Sequence, residues 1–82
     1  MQIEVKLHGT LRRNRPSDAG GAPHHPFSIS MPDESTVAQL VAQLAIRDGL
    51  LNAAAVNSES VSLDTVLKNG DSVQLFPPSA GG

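Results

Sequence analysis

The chain has no cysteine, tryptophan or tyrosine, and its aromatic content is two phenylalanines, Phe27 and Phe76, among 82 residues. Without cysteine there is no disulfide framework, no thiolate nucleophile and no zinc–thiolate site. That composition suits a reducing compartment. With aromatics this scarce, the core must be built from Val, Leu, Ile and Ala around Phe27, with Phe76 as the other ring available. No apolar run approaches the ~20 residues that span a bilayer. The first residues, "MQIEVKLH", alternate instead of placing a basic region before an apolar block, so a secretory signal is not expected. A formal charge of −2 is too small to imply a nucleic-acid partner. Neither "NSES" nor "LRRN" is a phosphate loop, and no glycine-rich cradle precedes a helix. The expectation is one small cytoplasmic domain that binds neither membrane nor nucleic acid.

Patterning supplies most of the architecture. Ile3, Val5 and Leu7 share one face of a first strand, and Gln2, Glu4, Lys6 and His8 share the other. His8 is expected to be a surface residue. From residue 10 to residue 26 the alternation dissolves into Arg, Asn, Pro, Ser, Asp and Gly, which predicts a long loop. Phe27, Ile29 and Met31 then define a second strand fenced by Pro26 and Pro32. Val37, Leu40, Val41 and Leu44 form a helical stripe, Thr36 and Gln39 have capping-box spacing, and Gly49 is the expected stop. Asp33 and Glu34 would favour the positive helix start. Two short strands are expected around a turn at residues 57–60, followed by a helical turn placing Leu63, Val66 and Leu67 in the core. "KNGD" marks a tight turn, and "SVQLF" a last strand with Val73 and Leu75 inward and Phe76 outward. One helix over a small mixed sheet, with first and last strands paired in the middle, predicts an α+β, ubiquitin-like β-grasp fold of four to five strands. The domain is placed at residues 1–76, with a flexible insertion at about 13–26, and a flexible tail at 77–82. The outer sheet face would carry Glu4, Lys6, Ser28, Ser30, Gln74 and Phe76.

The tail is the unusual part. "LFPPSAGG" runs a hydrophobic strand into Pro77 and Pro78 and ends on Gly81 and Gly82. The prolines lack N–H groups, so they end a sheet ladder, and their fixed φ makes the first part of the tail a stiff spacer. Six residues reach at most roughly 20 Å when extended. Gly81 and Gly82 carry no Cβ, so the end is as thin as a peptide can be. A thin thread ending in a carboxylate points to reaction at that carboxylate. A carboxylate is a poor electrophile, and it needs conversion to a mixed anhydride with a nucleotide before a sulfur or nitrogen nucleophile can take it. Small, loose termini are also common, and that plain reading stands beside the functional one.

These residues resemble a known family. "AVNSESVSLDTVLKNGDSVQLFPPSAGG" at residues 55–82 is similar to the C-terminal third of the sulfur carriers that include the small subunit of molybdopterin synthase. The shared features are the "AVN" strand, the "G-D-x-V" turn and the "F-P-P-x-x-G-G" end. "MQIEVKLHGTLRR" resembles the family's first strand with its Leu–Arg turn, and only residues 13–26 fall outside the likeness. The resemblance implies that an ATP-dependent, E1-like activating enzyme adenylates Gly82 and that a sulfur donor converts it to a thiocarboxylate. It implies a large synthase subunit that accepts the tail and passes the sulfur to a cyclic pyranopterin phosphate. Gly81 would let the tail thread, and Phe76, Pro77 and Pro78 would dock on the partner. The chain would then be a carrier without catalytic residues, bound metal or resident cofactor of its own. Carriers for thiamine, tRNA or other sulfur metabolism, and a modifier conjugated to proteins through Gly82, share the fold and the ending. Leu75 stands where the family often has a second aromatic. Arg12, Arg13 and Arg15 form either a solvated basic cluster or a contact for an acidic groove. His24 and His25 are adjacent and have no third ligand, so no metal site is expected there.

Overall fold

The computed structural model describes residues 1–22, 24–47 and 49–78. The alternation at the start becomes β1 (Gln2–Leu7), with Ile3, Val5 and Leu7 buried. β2 (Phe27–Ser30) lies antiparallel to it, in a register that sets Phe27 beside Val5 on the core face and Ser28 beside Glu4 on the other. After the helix α1 (Val37–Gln43) come β3 (Ala53–Val56), β4 (Glu59–Val61) and β5 (Ser72–Phe76). The strands form one sheet in the order β2-β1-β5-β3-β4. β1 and β5 run parallel at its centre, and the outer pairings are antiparallel. Val37, Leu40 and Leu44 join Ile3, Val5, Leu7, Val73 and Leu75 in a single apolar cluster. This is the ubiquitin-like β-grasp that the pattern predicts. Among the described residues no helix is long and apolar enough to cross a membrane.

The helix begins where its cap dictates. Gln39 N–H donates to Thr36 Oγ1 at 3.3 Å, and Thr36 N–H donates to Gln39 Oε1 at 2.8 Å, a reciprocal capping box. Asp33 and Glu34 precede the cap and contribute nothing to the first helical turn. The helix ends earlier than Gly49, because Ala45 adopts φ 58 and reverses the chain. Ala45 N–H then donates to Ala42 O (3.0 Å) and Ile46 N–H to Val41 O (3.1 Å), which is a Schellman closure. Two neighbours hold it. Ile46 is buried just past the reversal, and Asn14 Nδ2 donates to the carbonyls of Leu44 and Ala45 at 3.1 Å each. An alanine in the left-handed region is strained by about 1 kcal/mol, which glycine relieves. Ala45→Gly is therefore expected to raise the unfolding free energy by about 1 kcal/mol in a urea titration, with unchanged slope.

Three loop expectations are corrected. The first turns of the expected loop form a 3-10 helix, Gly9–Asn14, which drives Leu11 into the core at 1% exposure. Arg15 donates to the carbonyls of Gly20 and His25 and lies 5.1 Å from the Phe27 ring centroid. Arg15 is thus engaged by the insertion, while Arg12 and Arg13 are exposed. Of the three core plugs expected after β4, only Leu67 is buried; Leu63 and Val66 are 47% and 52% exposed. The segment is not helical, because its carbonyls serve another helix. Leu63 O accepts from Ala38 N–H at 2.8 Å, and Thr65 O from Val37 N–H at 3.0 Å. These satisfy first-turn donors of α1 that have no partner within the helix.

Candidate functional site

β5 is the route from core to tail. Val73 and Leu75 are fully buried, while Ser72, Gln74 and Phe76 alternate to the outer face. The registers place Glu4, Lys6, Ser28, Ser30, Gln74 and Phe76 on that face together, as predicted. Across the β3 pairing, Phe76 faces Ala53 and Gln74 faces Ala55, so small side chains flank the only ring on this face of β5.

Phe76 is half-buried, and the reason is His8. The two rings stack, with centroids 4.4 Å apart and planes 13° from parallel. His8 Nε2 lies 2.9 Å from Gln74 Oε1, which accepts its hydrogen. The simple surface role expected for His8 is therefore wrong: it belongs to the sheet's outer aromatic pair. The signal was present in the parallel pairing of β1 with β5. Leu7 stands beside Leu75, so the next residues along, His8 and Phe76, are neighbours.

The backbone at this point is held from both sides. His8 N–H donates to Leu75 O at 3.1 Å, and Asn52 N–H donates to Phe76 O at 2.8 Å. Pro77 comes next with no N–H to offer, so the ladder stops there. Pro77 is half-buried and Pro78 is exposed. Gly81 and Gly82 lie outside the described residues. The structure thus brings Phe76, Pro77 and Pro78 together at one end of the central strands.

Other features stand apart from this end. Among the described residues no group of three His, Cys, Asp or Glu side chains is placed to hold a metal ion. His24 and His25 meet edge to face at 4.4 Å. A broad concavity between the insertion and β2 is lined by Glu4, Asp18, Phe27, Ser28 and Gln43. It sits at the far side of the sheet from the β3 contacts of Phe76.

Similarity to known proteins agrees with this geometry. The ThiS family model matches residues 23–82, from the end of the insertion through β5 and the tail. Over 39 residues the chain is 54% identical to the molybdopterin synthase sulfur carrier subunit of Escherichia coli. That match covers 48% of this chain and 47% of the relative, about half of each. Among solved structures, one similar chain comes from the complex of subunits 1 and 2 of the molybdopterin-converting factor of Helicobacter pylori. It is 28% identical, covers 100% of both chains and has a TM-score of 0.60. The small archaeal modifier protein 1 of Haloferax volcanii is 20% identical, covers 94% of this chain and 97% of its own, and has a TM-score of 0.68; at that identity the likeness is one of fold. With its family model spanning residues 23–82, the chain belongs to the ThiS family.

Proposed function

We propose that this protein is a sulfur carrier, the small subunit of a molybdopterin synthase, and that the carboxyl group of Gly82 is its reacting group. The observation that carries this reading is the family match through residues 23–82, with Phe76, Pro77 and Pro78 standing where the central strand leaves the sheet. The 54% identity over 39 residues to a molybdopterin synthase sulfur carrier subunit supports the same branch.

The chemistry is dictated by the weakness of a carboxylate as an electrophile. An activating enzyme binds ATP, and a Gly82 carboxylate oxygen attacks the α-phosphorus, releasing pyrophosphate and leaving an acyl-adenylate. A donor at the sulfide level then attacks the acyl carbon, AMP departs, and one oxygen has been replaced by sulfur. In the synthase, the tail enters the large subunit, where the thiocarboxylate sulfur bonds to a pyranopterin carbon and water cleaves the acyl carbon–sulfur bond, returning Gly82 to a carboxylate. The Helicobacter pylori complex of subunits 1 and 2 is the pattern for that assembly. The carrier supplies the body, the docking face at Phe76, Pro77 and Pro78, and a slim end at Gly81 and Gly82; its partners supply the catalytic groups. ATP belongs to the activating enzyme, and the cycle runs in the cytoplasm. The likeness to an archaeal modifier is of fold alone and does not favour conjugation over carriage.

ATP–pyrophosphate exchange by the host's activating enzyme tests the first step. Exchange is expected to require this protein and to saturate with it. Exchange at the same rate without the protein would refute the assignment.

A further inference from the structure

We propose that Gly9 is a positioning residue for the tail, because it forms with His8 a seat that sets the direction in which Phe76 and Pro77 leave the sheet. The inference deepens the carrier reading and rests on it. Neither His8 nor Gly9 falls within residues 23–82, the part that matches the family model.

The seat arises from the parallel centre of the sheet. Leu7 and Leu75 are paired, so residues 8 and 9 run alongside 76 and 77 as both strands end. His8 covers the Phe76 ring at 4.4 Å. Gly9 covers Pro77: a Cβ built on Gly9 would lie 2.9 Å from Pro77 Cγ, closer than nonbonded carbons approach. Gly9 also has φ +54, the left-handed region that glycine enters without penalty.

One partner in this contact is fixed. Gly9 opens the 3-10 helix, whose Leu11 is buried and whose Leu11 N–H donates to His8 O at 3.1 Å. Asn14 at the far end of that helix is tied to the carbonyls of Leu44 and Ala45. The Phe76 carbonyl is pinned by Asn52 N–H at 2.8 Å. A side chain at position 9 therefore meets a backbone that is anchored, and the pyrrolidine ring of Pro77 must swing away. That swing changes the direction in which the chain leaves Pro77. Reactions between oriented groups lose about 100-fold for about 1 Å of misplacement.

A double-variant cycle tests the proposal, with pyrophosphate exchange and thermal unfolding as readouts. Gly9→Ala is expected to lower the maximal exchange rate by about tenfold or more with a smaller change in KM, the signature of lost positioning. In the Pro77→Ala background, where Cγ is gone, the same substitution should lower the rate by less than about threefold. Gly70→Ala is the control for backbone strain, since Gly70 has φ +88 with open space around its missing Cβ. It should lower the melting temperature through backbone strain alone yet leave exchange at the wild-type rate. Equal losses from Gly9→Ala with and without Pro77, or a full rate in Gly9→Ala, would overturn the proposal. A wild-type protein that supports no exchange would instead refute the carrier reading itself.

Discussion

One alanine appended after Gly82 is expected to reduce adenylation by more than about 100-fold while leaving the fold intact. The extension converts the Gly82 carboxylate into an amide, which has no anionic oxygen to attack phosphorus. The new carboxylate lies about 3.5 Å further along the thread and carries a Cβ beside it. Either change alone exceeds the tolerance of a reaction that needs oxygen and phosphorus within van der Waals reach. Stability should not change with it. The last strand residue is Phe76, whose carbonyl is bonded to Asn52 N–H, and Pro78 is already exposed. The melting temperature should hold to about 1 °C, since a loss of 1 kcal/mol would shift it by about 4–8 °C in a domain of this size. Normal exchange by the extended protein would show that the chemistry is not at Gly82.

The second large effect is on the body that presents the tail. Leu75→Ala should cost about 3 kcal/mol of unfolding free energy, within the range for buried leucines. An 82-residue domain has roughly 4–12 kcal/mol in total, so a large share of the stability rests on this side chain. Leu75 has 0% exposure, stands beside Leu7 on β1 and faces Ala54 on β3. Ala54 is too small to fill the vacated space, and the cavity persists. Urea unfolding should show the midpoint fall sharply with little change in slope. A loss below about 1 kcal/mol would mean that the core relaxes around position 75 and that β5 is not a rigid base for the tail.

The contrast between those two positions also explains how far the sequence could be read. Leu75 and Val73 were legible because period-two alternation forces residues of one face into the core. The start of α1 was legible because Thr36 and Gln39 satisfy each other's backbone donors within four residues. The sharp "KNGD" turn was legible for the same reason, with Asp71 accepting from Lys68 N–H and Gly70 at φ +88. What escaped depends on contacts distant in sequence. Nothing about Ala45 marks a left-handed residue; the burial of Ile46 and the side chain of Asn14, 31 positions from Ala45, decide it. Leu63 and Val66 looked like core because they are apolar, yet the α1 donors claim the backbone of that segment and leave both side chains outside. His8 looked like an ordinary surface residue until the register of β1 against β5 set it over Phe76. At the end of β5, Phe76, Pro77 and Pro78 were legible as a motif, but the contacts of His8 with Phe76 and of Gly9 with Pro77 were not.

The central claim is that sulfur is carried on the carboxyl group of Gly82. Intact-mass and C-terminal fragment mass spectrometry measures this directly, after incubating the protein with its activating enzyme, ATP and a sulfide-level donor. The expected product is a species heavier by one sulfur less one oxygen, with the added mass confined to the fragment containing Gly82 and absent when ATP is withheld. An unmodified carboxylate under full reaction conditions, or sulfur located elsewhere in the chain, would contradict it.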